Sequence, residues 1–321
     1  MVELEKIASL ANWPKQRGQI EACVTSMLGA MPKERAELQL KTVDEVSFAG
    51  YVRRRINYFV DDWHRTSAWL FLPEGKDEVP AILCCHQRVP QGKNEPAGIE
   101  GDPRLAFAQR YAELGYATLA VDCLAAGERV YYKLEPYDTS AFHKDNPKLS
   151  ALGKMLIDHA QALDALSESR RVDMERLGVI GHGMGAYNAL FLAAFDERIR
   201  ACVASCGFTR FADDKTPERW VEDEGFAVLP KLKDAVDKRE FPFDWEHILA
   251  LGAPIPTLLL TALNDPSLAN TKSCDKAAKL AGGIYGLLGA EEALCNRTHR
   301  EGHTLTPELL ECADEWFERW L

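Results

Sequence analysis

Leu177-Gly178-Val179-Ile180-Gly181-His182-Gly183-Met184-Gly185 is the stretch that decides how this chain is read. Its first four residues have the continuous apolar character of a strand covered on both faces. A Gly-x-X-x-Gly turn follows, and a helical stretch runs on from Met184 to Phe195. A strand that breaks through such a turn into a helix is the frame of a nucleophile elbow. There the turn lifts its central residue to the top of a sheet, and the flanking glycines let the backbones approach closely. The central residue expected in that frame is serine. Here it is Gly183, so the frame is present without its nucleophile.

Working outward, short apolar runs recur at 81–85, 116–122, 201–205 and 257–262, with a weaker one at 293–296. Helical stretches separate them, at 104–114, 149–169, 184–195, 269–281 and 307–321. Alternating strand and helix predicts an α/β fold with a mostly parallel sheet and helices on both faces. Ahead of these, 51–60 and 66–72 read as two strands joined by the turn Asp61-Asp62-Trp63-His64, which makes the sheet mixed. Residues 1–45 read as a polar, N-terminal helical extension, and 46–321 as the main domain. Within it, 208–252 breaks the rhythm with charge and aromatics, as a cap-like insertion over one end of the sheet would.

Two more residues stand where the chemistry of such a site requires them. Asp265 follows the 257–262 strand, the place for a carboxylate that orients a base. His303 lies after the last short strand and before the final helix, the place for the base itself. Both fall at the C-terminal ends of strands, the edge where open α/β sheets put their sites.

With those residues in view, the chain resembles the α/β-hydrolases of the dienelactone hydrolase and acetyl xylan esterase kind. The stretches that carry the resemblance are Cys85-His86-Gln87, the loop 92–98, Val121-Asp122 with Gly127-Glu128-Arg129, Gly181-His182 with Asn188-Ala189-Leu190, the run 194–198, and Ser205-Cys206-Gly207-Phe208. With Asp265 and His303 they span about residues 50–321. The resemblance implies an α/β-hydrolase fold and hydrolysis of an ester or lactone. It makes Asp265 and His303 catalytic, puts Gly183 at the nucleophile's position, and gives His86, Gln87 and Met184 to the oxyanion side of the substrate. The family's elbow reads Gly-His-Ser-Leu-Gly-Gly, whereas this chain has Gly-His-Gly-Met-Gly-Ala. Three differences point to natural divergence more than to a single disabling change.

Without a hydroxyl, His303 oriented by Asp265 is left to act on water or directly on a substrate proton, with backbone N–H groups holding the oxyanion. Two other readings use the same residues: a non-covalent lyase or cyclase, and a ligand-binding pseudoenzyme. Arg129 is a candidate anchor for a substrate carboxylate; its bland alternative is an ion-pair network with Glu95, Asp122 and Glu128. Tyr131, Tyr132, Phe208, Phe211 and Trp220 are candidates either for pocket walls or for packing. His182 reads as a packing residue. Cys84, Cys85, Cys206 and Ser205 are poor substitutes for the missing serine. They lie in or directly after buried strands, whereas a reactive thiol needs an accessible, electropositive niche.

Composition bounds the rest. Of 321 residues, 46% are hydrophobic and 27% charged, as in a soluble globular chain. A net charge of −11 repels phosphate backbones, so no nucleic-acid partner is expected. No apolar run approaches the ~20 residues of a membrane span. Glu3 and Glu5 replace the basic start of a secretion signal, so a cytoplasmic location is expected. Nine cysteines, an odd number without a CxxC pair, read as reduced thiols. No metal site and no organic cofactor are expected, because neither ligand spacing nor a dinucleotide loop occurs. The expected partner is a small-molecule substrate, and apolar positions on the N-terminal extension allow a homodimer.

Overall fold

The computed structural model describes every residue except 8, 33, 76 and 77. Its centre is the run Ala81-Ile82-Leu83-Cys84-Cys85 in strand β4 (Val79–Cys85). Side chains alternate across a strand, so Ala81, Leu83 and Cys85 enter one apolar core while Ile82 and Cys84 enter a second on the opposite face. Both faces are covered, which is why the run is continuously apolar rather than alternating.

Around β4 the sheet assembles β1 (Lys41–Phe48), β2 (Tyr51–Phe59), β3 (Arg65–Pro73), β5 (Ala117–Val121), β6 (Val172–His182), β7 (Ile199–Ser205), β8 (Thr257–Ala262) and β9 (Leu294–His299). The spatial order is β1-β2-β3-β5-β4-β6-β7-β8-β9. Pairing is antiparallel from β1 through β3 to β5 and parallel from there on. The helices are α1 (Trp13–Leu28), α2 (Phe107–Glu113), α3 (Ser140–Asp145), α4 (Ala151–Ser167), α5 (Met184–Phe195), α6 (Lys233–Lys238), α7 (Trp245–Gly252), α8 (Ser273–Leu287) and α9 (Pro307–Trp320). Residues of α1, α4, α5, α7 and α8 enter the first core, and those of α2 and α9 the second. This is the expected mostly parallel, mixed sheet flanked by helices.

Two stretches depart from the sequence reading. In the segment expected to be helical through 45, α1 ends at Leu28, and Lys41–Phe48 is a strand that hairpins onto β2 through Ala49-Gly50. Gly50 supplies the positive φ (91°) that this tight turn needs. In the segment read as a cap, α7 is buried along its whole length and packs among the helices of the main core. Asp244 caps it, accepting from the Trp245 N–H at 2.8 Å, and also ties down the Phe211 N–H at 2.8 Å.

The elbow's glycines have a steric reason that the structure makes testable. A β-carbon at Gly185 would collide with the Cys85 carbonyl, which belongs to backbone and has nowhere to move. Gly185→Ala is therefore expected to lower the unfolding free energy by about 3 kcal/mol or to prevent folding. Gly282, inside α8, has nothing within 4 Å of its would-be β-carbon. Gly282→Ala is expected to stabilise by about 0.5–1 kcal/mol. Urea unfolding of both variants checks the contrast, and similar midpoints for the two would contradict it.

Candidate active site

Gly183 sits between the last residue of β6 and the first of α5, with φ 54° and ψ −116°. A side chain strains that conformation, whereas glycine adopts it freely. Its N–H donates to the Ser205 carbonyl at 2.9 Å, which ties the turn to the end of β7. A β-carbon built on Gly183 would lie 3.1 Å from His303 Nε2 and 3.5 Å from the Gln87 β-carbon. The free nitrogen of His303 is thus the first atom an added β-carbon would meet.

His303 lies in the loop from β9 to α9, and its Nδ1 is 2.7 Å from Asp265 Oδ2. Asp265 follows β8, and its side chain is fully buried while that of His303 is 20% exposed. The other carboxylate oxygen accepts the Ser267 N–H at 2.7 Å and the Leu268 N–H at 3.0 Å. Burial pushes the Asp265 carboxyl up, but the bond to His303 and its charge, with the two backbone donors, outweigh it and hold the group below its ordinary value. The ionised carboxylate fixes the imidazole with its proton on Nδ1 and leaves Nε2 facing Gly183.

A cavity of about 380 Å³ opens over this point, within the range of small-molecule sites. Gln87, Gly183, Met184 and His303 line its floor, and Tyr187, Trp220 and Phe226 form an apolar wall. Arg88 closes one side: its guanidinium pairs with Asp223 and lies 5.2 Å from the Phe226 ring centre. Cys206 also lines the cavity. It carries a positive φ of 53°, and its N–H donates to the Leu260 carbonyl at 2.9 Å.

Not every residue expected at the substrate is there. His86 is buried with both ring nitrogens engaged: Nδ1 donates to the Gln87 carbonyl at 2.6 Å, and Nε2 accepts the Cys123 N–H at 2.9 Å. It shapes the loop after β4 and is not among the residues lining the cavity. Arg129 is likewise turned inward. Its side chain is 9% exposed, pairs with Asp158 at 2.7 Å and donates to the Asp122 carbonyl at 3.1 Å. A fully paired, buried guanidinium braces loops; the guanidiniums at the cavity are Arg88 and Arg219. Of the aromatics considered, Trp220 lines the cavity, Phe208 and Phe211 are core, and Tyr132 projects into solvent. Arg88 directly follows the His-Gln motif, the one signal that could have singled it out. Asp223 and Phe226 lie in an irregular segment with no periodicity to place them.

The loop after β4 is held rigidly. Lys93, 2% exposed, pairs with Asp122 at 2.7 Å and Glu128 at 2.9 Å. Tyr137 donates its hydroxyl to the Val89 carbonyl at 2.6 Å and accepts the Val89 N–H at 2.8 Å. Below the elbow, His182 Nδ1 lies 3.0 Å from Ser205 Oγ, and its ring centre is 4.4 Å from that of His303. Although no metal ligands stood out in the sequence, the fold brings His182, Cys206 and His303 together. Each offers one ligand atom, and all three atoms lie within 4.8 Å of one another.

Burial of three histidines ties stability to pH. Burial pushes His182 down to about 3 and His159 down to about 4, and it also lowers His86. The unfolded chain takes up these protons as pH falls below 6.5, while the folded chain does not. Stability is therefore full above pH 6.5 and declines between 6.5 and about 4, by up to ~1.4 kcal/mol per pH unit for each histidine. Asp244, pushed up to about 6 by burial, opposes this with one proton, which leaves a net decline. Urea unfolding at pH 7 and 5 should show it, with a shallower slope in His159→Leu; equal stability at both pH values would contradict it.

No described helix is long and apolar enough to cross a membrane. Against known proteins, the dienelactone hydrolase family signature matches residues 67–228. YtaP of Bacillus subtilis, a protein named as a hydrolase, is 30% identical over 272 residues, covering 80% of this chain and 85% of YtaP. Among solved structures, a glucuronoyl esterase from Solibacter usitatus superposes with a TM-score of 0.77 at 17% identity, covering 97% of this chain and 94% of that one. An acetyl xylan esterase from Paenibacillus sp. R4 does so with a TM-score of 0.63 at 17% identity, covering 98% and 96%. The structures share the fold. The family signature over half the chain and the long match to YtaP go further, and by them this α/β-hydrolase-fold chain belongs to the dienelactone hydrolase family.

Proposed function

We propose that the chain hydrolyses a carboxylic ester or lactone without a covalent intermediate. The observation that carries this reading is the placement of His303 Nε2, 3.1 Å from where a Gly183 β-carbon would stand, with Nδ1 held by Asp265. In place of the alcohol, a water fills the gap left at Gly183. Nε2 takes a proton from that water as its oxygen attacks the substrate carbonyl. The oxyanion is held by the N–H of Met184, which as the first residue of α5 has no acceptor within its helix, and by the N–H of Gln87. As the tetrahedral intermediate collapses, the imidazolium returns its proton to the departing alkoxide, giving a carboxylic acid and an alcohol. The aromatic wall of Tyr187, Trp220 and Phe226 suits an apolar group on the substrate.

The test is steady release of p-nitrophenolate from p-nitrophenyl acetate, in the original chain and in Asp265→Asn. Asparagine keeps the size of the carboxylate but favours the wrong imidazole tautomer. Turnover above the protein-free background is expected from the original chain, with a drop of at least ~100-fold in the variant. Equal rates for both would overturn the reading.

A further inference from the structure

We propose that His182, Cys206 and His303 form a binding site for a soft divalent cation of the zinc class, open to the cavity above Gly183. The site shares His303 with the hydrolytic reading and goes beyond it.

Three strands deliver the donors. His182 ends β6, Cys206 follows the last residue of β7, and His303 follows β9, while His182 and Ser205 are register partners across the sheet. The ligand atoms lie within 4.8 Å of one another, so small side-chain rotations bring them onto one ion. Two imidazoles and a thiolate are a donor set that selects zinc-class cations over magnesium or calcium.

The second layer is already in place. Asp265 holds His303 Nδ1 and leaves its Nε2 to offer, while Ser205 Oγ lies between His182 Nδ1, at 3.0 Å, and Cys206 Sγ, at 3.7 Å. A carboxylate behind a ligating histidine both orients the ring and makes it a better donor. The buried Asp265 carboxylate also supplies negative charge that a cation would offset, and its one ion pair among the described residues is with His303. Cys206 is held at positive φ, a conformation that a residue with a β-carbon rarely adopts without a structural reason. Gly183 matters as well. A side chain there would stand 3.1 Å from His303 Nε2, whereas glycine leaves that nitrogen clear.

Binding would form bonds from the cation to two imidazole nitrogens and to sulfur, and the thiol proton would leave to solvent. Three protein ligands leave a position for water, facing the cavity. A ligated Nε2 can no longer accept a proton, so cation occupancy and the imidazole-base role exclude one another.

The experiment uses the full chain, freed of metal with a chelator and titrated with cobalt(II) and then zinc. We expect one cobalt bound per chain with a thiolate-to-cobalt charge-transfer band, release of one proton, and displacement by zinc. Cys206→Ala and Cys206→Ser should both lose the band and bind zinc ~100-fold more weakly. The two replacements guard against one that misfolds, and circular dichroism checks that each is folded. Absence of the band in the original chain, or an unchanged band in a folded Cys206 variant, would overturn the site. Hydrolysis by the metal-free chain is read separately. Hydrolysis without cobalt binding defeats the cation site alone, and cobalt binding without hydrolysis defeats the hydrolytic reading alone.

Discussion

Gly183→Ser is expected to raise the hydrolysis of p-nitrophenyl acetate on the order of 10³-fold, because it adds the one part the site lacks. The β-carbon would stand 3.1 Å from His303 Nε2, closer than ordinary contact, and the ring end must give by a few tenths of an ångström. His303 can do so, because it sits on a loop with its side chain partly exposed. The hydroxyl one bond further on then falls within hydrogen-bond reach of Nε2, as an activated nucleophile requires. The strain at φ 54° opposes the change and should lower the unfolding free energy by about 1–2 kcal/mol. Activity thus rises while stability falls, and the two are measured independently. A folded Gly183→Ser protein no faster than the original would mean that the Asp265–His303 pair cannot activate an alcohol.

The opposite change, His303→Ala in the original chain, is expected to abolish turnover to within the protein-free background, a loss of ~10²–10⁴ if general-base catalysis has its usual weight. The fold should survive, since the ring is 20% exposed and the hydrogen bond it makes is with Asp265. Removing the ring also takes away the partner that offsets burial at Asp265, so that carboxyl should move up towards or above its ordinary value. The stability loss that follows from that shift is full at neutral pH, where the carboxyl is ionised, and fades as pH falls through its ordinary value, whereas a core residue's loss would appear at every pH. Turnover that persists in a folded His303→Ala protein would place the base elsewhere.

Much of this was legible in the chain because burial writes itself into sequence. Ala81–Cys85 is apolar throughout since both faces of β4 are covered, and the elbow is marked by glycines whose β-carbons have no room. Asp265 and His303 were placed by topology, as loop residues after consecutive parallel strands. Strand β1 was illegible for the converse reason: all its residues are exposed, so no alternation of burial marks it, and pairing with β2 alone makes it a strand. His86 and Arg129 show a second limit. Residue type marks them as chemically able, but only the fold decides that His86 spends its nitrogens on Gln87 and Cys123 and that Arg129 turns to Asp158. Arg88, which does line the cavity, owes its position to a partner in an irregular segment far along the chain. The meeting of Cys206 with His182 and His303 depends on the order of β6, β7 and β9 in the sheet, which local pattern does not encode.

The most direct measurement is the intact mass of the original chain, acid-quenched during turnover of p-nitrophenyl acetate, with Gly183→Ser quenched alongside. Unmodified protein in the original and an acetylated chain in the serine variant is the result expected if water attacks at a vacant elbow. An acetyl adduct on the original chain, mapped to Cys206, Ser205 or any other side chain, would contradict it.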